Sequence, residues 1–250
     1  MCRMFAVRGS AKFASKLQDA LISAAKDDDF RANRGSHDSG WGGVWYSEKD
    51  QRYYRTTTPI FEDPKATQFF EKDDPIVGIS HARLKAEGEP VRGPYDSHPF
   101  EAHFGDELVY LTHNGHIDKH KLSEKAGAED VSKLNDSEVF TFLLERVEGK
   151  STKERLENAI NYVREIGAMK GALNLMVMSI IRGGKKNIYY HCDYLDETKE
   201  LYYSLYTLRE NEDTAVMSST VAYKLGLIGS TGKSRERKVS KSERKRILML

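Results

Sequence analysis

The sequence predicts an α+β fold with a largely antiparallel sheet. Three observations lead there. Strand-like segments fall in two blocks, one before residue 114 and one after residue 171, with a pair of helical segments between them. Strands and helices do not alternate as parallel βαβ units would require. The Asn114-Gly115 pair follows a strand and favours a tight turn with positive φ, a common link between antiparallel neighbours.

Along the chain, "CRMFAVR" (2–8) reads as a strand. In the next segment Phe13, Leu17, Leu21 and Ala24 recur at helical spacing, with Ser10 placed to cap the first turn. "RGSHDSGWGG" (34–43) is a glycine-rich loop, and strands follow at 43–46, 53–58, 75–82 and 107–113. A Gly/Pro-rich loop, "EGEPVRGPYDSHPF" (87–100), separates the last two. "DSEVFTFLLERV" (136–147) and "ERLENAINYVREI" (154–166) carry amphipathic helical periodicity. Strands resume at 172–181, 187–195, 201–208 and 213–220. The chain shows no internal repeat.

The 250 residues suit one large domain or two small ones and can bury a full core. A composition of 39% hydrophobic and 31% charged residues is that of a soluble globular protein. Net charge is +1, but residues 233–246 carry eight basic and two acidic side chains, leaving about −5 on the rest. The terminal segment 221–250 is therefore expected to be a solvated, partly disordered basic tail, and 2–220 the folded domain. Two cysteines, Cys2 and Cys192, make no disulfide framework and fit a reducing, cytoplasmic setting. The most apolar run, 171–181, is too short to span a bilayer, and no signal peptide is evident, so no membrane association is expected.

Cys2 carries the first chemical signal. Its small side chain permits removal of Met1, which leaves a thiol and a free α-amine on one residue. An α-amine has a pKa of roughly 7.7–8.0, so near neutral pH a useful fraction is unprotonated. It can take the thiol proton, directly or through water, and return it to a leaving amine. No histidine or metal is required.

Three further stretches extend this signal: "GISHARLKAEGEP" (78–90), "HNGHI" (113–117) and "NDSE" (135–138). With Cys2 they resemble the class II glutamine amidotransferases of the N-terminal-nucleophile hydrolase superfamily. There an exposed cysteine precedes a G-I-x-H-x-R strand, an H-N-G turn and an S-D-[ST]-E segment. "HDSGWGGVWY" (37–46) and "DSHPF" (96–100) are more similar to the stand-alone branch that processes γ-glutamyl compounds. The resemblance covers about residues 2–220. It implies a four-layer αββα sandwich, two antiparallel sheets between helical layers. It implies that Cys2 attacks the γ-carboxamide to give a γ-glutamyl thioester, with Asn114 and Gly115 as the oxyanion hole. It assigns Arg83 to the substrate α-carboxylate, a task suited to a planar five-donor fork. Asp136 takes the α-ammonium, a role that can coexist with capping the helix that follows. His98 is placed on the substrate side. No cofactor or metal is implied. The expected partners are glutamine or a γ-glutamyl small molecule. A separate ammonia-accepting synthase subunit joins them if the ammonia is not simply released, since only the basic segment follows the last strand.

The sequence departs from the hexosamine-phosphate-synthase pattern R-W-A-T-H-G, reading Arg83-Leu84-Lys85-Ala86-Glu87-Gly88. Ala86 offers no hydrogen bond to a carboxylate, and Glu87, if it faces the pocket, repels one. That points to a larger γ-glutamyl amide or a rearranged carboxylate pocket. Asn135 stands where the family has serine.

His113, His116 and His120 have spacing that could chelate Zn²⁺ on a helix, but the expected Asn-Gly turn breaks it. The basic tail lacks aromatic residues for stacking, which disfavours nucleic acid as a partner. His191 and Cys192 are adjacent on a strand and point to opposite faces, which disfavours a dyad.

Overall fold

The computed structural model describes residues 2–70, 75–181 and 183–250. Met1, whose removal the chemistry of Cys2 invokes, lies outside them. The chain runs β1 (Arg3–Gly9), α1 (Ala11–Lys26), β2 (Trp41–Tyr46), β3 (Gln51–Thr56), β4 (Ile76–Ala82), β5 (Phe100–Phe104) and β6 (Glu107–Ile117). Helices α2 (Lys119–Ala126), α3 (Asp136–Arg146) and α4 (Thr152–Glu165) follow. Then come β7 (Met169–Ile181), β8 (Lys186–His191), α5 (Glu200–Tyr203), β9 (Leu205–Glu210), β10 (Asp213–Ser218), α6 (Ser219–Lys224), β11 (Val239–Lys241) and β12 (Ile247–Met249).

The strands form two antiparallel sheets. One has the order β11-β9-β10-β1-β4-β2-β3, the other β12-β8-β7-β6-β5. Strand alternation builds the layers. On β1, Phe5 and Val7 pack outward against α1 and α6, with Leu17, Leu21 and Val221. Met4 and Ala6 face inward, against Met176, Met178 and Tyr190 of the second sheet. The outer face of that sheet, with Val109, Leu111 and Leu175, is covered by Phe140, Leu143 and Ile160 of α3 and α4. The result is the expected αββα sandwich. Ser10, Asn135 and Ser151 each cap a helix by accepting the N–H three residues on. The cap of α3 is thus Asn135, and Asp136 is its first helical residue. No helix among the described residues is long and apolar enough to cross a membrane.

Four local expectations are corrected. Asn114 and Gly115 do not turn the chain; both lie within β6, opposite Asn174 and Leu173, beside a register shift. The segment 201–208 splits into a one-turn helix and β9. The short elements α2 and β5 carried no clear sequence signal: α2 is mostly polar, and β5 follows a Gly/Pro-rich loop.

The fourth correction concerns the basic segment, which is part of the fold. β11 pairs with β9 and β12 with β8, so it ties the two sheets at one edge. Three of its charges meet acids from elsewhere. Lys238 pairs with Glu210, Lys241 with Glu200, and Arg244 with Glu197 while covering the Tyr194 ring. Val239 and Ser242 are buried.

Candidate active site

Antiparallel pairing brings four strand ends to one edge of the sandwich. Arg3 pairs with Ala82, Ala82 with Trp41, and Trp41 with Thr56. The start of β1, the end of β4 and the start of β2 are therefore adjacent. The second sheet contributes the C-terminal end of β6.

Cys2 sits just before β1 and is almost fully buried. Its backbone N donates to Asn114 Oδ1 at 2.8 Å, across the two sheets. Leu84 N donates to Cys2 Sγ at 3.3 Å. Because Oδ1 of Asn114 faces the Cys2 amine, its Nδ2 is left to donate elsewhere. Gly115 is fixed by crowding rather than by turn geometry. A Cβ there would lie 1.8 Å from the Ala172 carbonyl oxygen and 2.3 Å from His113 Nε2.

Arg83 follows β4 and is buried. Its backbone N donates to Gly40 O at 2.8 Å. Its guanidinium makes no ion pair with any described residue. A buried cation of this kind calls for an anion. His98 packs between two rings: its own is 4.0 Å from that of His81 and 4.8 Å from that of Phe100. Both ring nitrogens of His98 are buried without a hydrogen-bond partner among the described residues. Burial, then the neighbouring His81, His113 and Arg83, push His98 well below the usual histidine range. Burial likewise lowers His81, to about 3. These imidazoles are neutral at pH 7.

Asp136 is reached from the other side. It accepts from Ile117 N at 2.9 Å and from Ser137 Oγ at 3.1 Å. His113 Nδ1 lies 2.9 Å from Ser137 Oγ, so a His113–Ser137–Asp136 chain forms behind Gly115. Burial pushes the Asp136 carboxyl up, but His116, His113 and the Ile117 N–H outweigh it and hold it below the ordinary value. His116, 3.5 Å from Asp136, is raised by that contact. His113 and His116 lie on β6 and His120 on α2, so the helix that zinc spacing needs does not exist.

The sequence-predicted residues thus lie at strand ends: Cys2 with Asn114, next to Gly115, Arg83 just after β4, His98 against His81 of β4, and Asp136 at the end of the strand that carries Asn114. Glu87 departs from expectation. It is solvent-exposed, and the inward acid of its loop is Glu89, ion-paired with Lys119 at 3.0 Å. Sequence reading also missed the latch on that loop, Arg92 with Asp96 and Glu138. No local pattern signals it, because Glu138 arrives from α3. Cys192 is unsuited to nucleophilic work: it is buried between the sheets, and burial raises its thiol to about 11.

A two-sheet αββα sandwich with a cysteine at the open end of a central strand is the architecture of the N-terminal-nucleophile hydrolases. The family model for class-II glutamine amidotransferases matches residues 1–212. The chain belongs to that family. It is 24% identical over 151 residues to the putative glutamine amidotransferase YafJ of Escherichia coli, an alignment spanning 57% of this chain and 58% of that protein. The fold superposes on the structure of the allosteric regulatory enzyme of purine biosynthesis with a TM-score of 0.67 and 15% identity. That superposition covers 99% of this chain and 46% of the other. A glutamine aminotransferase class-II domain protein from Silicibacter pomeroyi gives a TM-score of 0.54 and 14% identity, with 98% and 94% covered.

Proposed function

We propose that this protein is an amidohydrolase that cleaves the γ-amide of glutamine or of a γ-glutamyl compound through a thioester on Cys2. The observation that carries the reading is the 2.8 Å contact from Cys2 N to Asn114 Oδ1. It supports the reading because it joins the backbone N of the proposed nucleophile to the proposed oxyanion donor, 112 residues away in sequence.

Once Met1 is removed, the neutral α-amine accepts the thiol proton as Sγ bonds to the γ-carbonyl carbon. Asn114 Nδ2 and Gly115 N–H take the developing oxyanion. The C–N bond then breaks, the α-amine returns the proton to the leaving nitrogen, and ammonia or an amine departs. Water, deprotonated by the same amine, cleaves the thioester to free glutamate or its conjugate and restores the thiol. Arg83 holds the α-carboxylate and Asp136, kept ionised, the α-ammonium. Neutral His98 lines the substrate side without competing for that carboxylate. The ammonia is released or passed to a separate synthase subunit. Both cysteines are unpaired, which supports a reducing, cytoplasmic setting.

The test pairs intact mass with ammonia release. Protein lacking Met1 should release ammonia from glutamine or the amine from a γ-glutamyl amide, and protein retaining Met1 should not. Equal activity from the Met1-retaining form would remove the amine from the mechanism.

Substrate choice follows from the position of Glu87. Since it faces solvent, Glu87→His should change kcat/KM for glutamine by no more than about twofold, the size of an ordinary surface substitution. Several γ-glutamyl amides measured beside glutamine then rank the leaving groups directly. A large gain for glutamine in Glu87→His would mean that the loop turns this carboxylate inward when substrate binds.

A further inference from the structure

The residue after the proposed nucleophile is a fully buried arginine. Arg3 occupies an outward-facing position of β1 where the next two outward positions are Phe5 and Val7. An apolar side chain would continue that pattern without desolvating a charge. A buried ion pair is weak evidence for stability and calls for another reason.

The surroundings of Arg3 are closely built. Its Nε donates to Asp28 Oδ2 at 2.7 Å, with both side chains fully buried. Its Nη1 donates to the Tyr202 carbonyl at 3.1 Å, and the guanidinium lies 4.0 Å from the centre of the Tyr202 ring. Asp28 also accepts from His37 Nε2 at 2.8 Å, Thr220 Oγ1 at 2.5 Å and Phe30 N at 3.2 Å. Burial lowers His37 to about 4, so it is a neutral donor to a carboxylate that Arg3 keeps ionised. One carboxylate thereby joins both ends of the loop between α1 and β2, together with α6, to the start of β1, while Arg3 reaches α5.

Cys2 needs such an anchor. The ladder between β1 and β4 begins at Arg3, and that between β1 and β10 at Phe5, so Cys2 lies beyond both. Chain ends fray unless tied down. A misplacement of about 1 Å can cost a catalytic group about 100-fold.

We propose that Asp28 and Arg3, supported by His37 and Thr220, are positioning residues that hold Cys2 against Asn114. The inference rests on the reading of Cys2 as nucleophile. It assigns the network no contact with substrate.

The test compares wild type with Arg3→Lys and Thr220→Val. Lysine keeps the cation but cannot bridge Asp28 and the Tyr202 carbonyl as the fork does. Valine removes one hydroxyl donor and leaves every charge in place. The readouts are kcat and KM per folded molecule, with the folded fraction taken from denaturation curves, and the rate of Cys2 alkylation by iodoacetamide located by peptide mapping. Arg3→Lys should lose about 100-fold in kcat and Thr220→Val about tenfold, with KM within about threefold of wild type. Both should alter the alkylation rate of Cys2 and leave that of Cys192 unchanged. A purely structural role lowers the folded fraction but leaves kcat per folded molecule alone. Wild-type kcat and Cys2 alkylation in the folded variants would overturn the proposal, with Thr220→Val deciding alone if Arg3→Lys does not fold. If wild type itself cleaves no γ-amide, the proposed activity fails, and the alkylation rates still report whether the network positions Cys2.

Discussion

Cys2→Ala should fold as wild type does and release neither ammonia from glutamine nor the amine from any γ-glutamyl amide. The side chain of Cys2 is small, and the backbone contact to Asn114 survives its loss, so the cost in stability is expected to be about 1 kcal/mol. The cost in rate should be total within the assay, because the thioester cannot form. A diazo-ketone analogue of glutamine should label Cys2 and spare Cys192. Only Cys2 sits beside Asn114 at the strand-end edge, whereas Cys192 is sealed between the sheets and its raised thiol pKa keeps it protonated at pH 7. Cys2→Ser keeps the amine and the contact but replaces the thiol with a poorer nucleophile, so it should retain at most a trace of activity. An adduct mapped to Cys192, or full activity in Cys2→Ala, would sink this assignment.

What the sequence discloses here depends on the range of each interaction. The segment 2–8 was readable as a strand, and its unbroken apolar run Met4-Phe5-Ala6-Val7 fits burial on both faces, with Phe5 outward and Met4 inward. Arg83, Asn114 and Asp136 were legible because each lies in a short motif near a strand or helix end. The Asn-Gly pair misled because its turn preference is local. The constraint that requires glycine is the Ala172 carbonyl, 57 residues on, at a distance no Cβ could accept. The basic segment misled for the same reason: Glu197, Glu200 and Glu210, which meet its charges, come from elements that charge counting along the chain cannot place beside it. The Arg3–Asp28–His37–Thr220 network is the extreme case, since its members come from three separate segments, the start of β1, the loop between α1 and β2, and α6.

Asn114→Ala should lower kcat by 10²–10³, or about 2.7–4 kcal/mol, with little change in KM. Asn114 acts from two ends. Oδ1 receives the Cys2 N–H, and Nδ2 is the donor proposed for the oxyanion. Alanine removes both, so it alone cannot say which end matters. Asn114→Asp separates them. Aspartate keeps an oxygen acceptor for the Cys2 amine but offers no N–H and places a negative charge where the oxyanion forms. It also favours the protonated amine over the neutral base. If the donor end carries the rate, Asn114→Asp should be at least as damaged as Asn114→Ala. If holding the amine is the main role, Asn114→Asp should recover much of the loss, most clearly at high pH where the amine is neutral. Substrate affinity provides the control. Arg83 and Asp136 bind the two ends of the amino-acid moiety in this mechanism and neither touches Asn114, so KM should stay within a few-fold in both variants. A rise in KM with kcat unchanged would move Asn114 out of the transition state and make it a substrate-binding residue, leaving the Gly115 N–H as the sole proposed oxyanion donor.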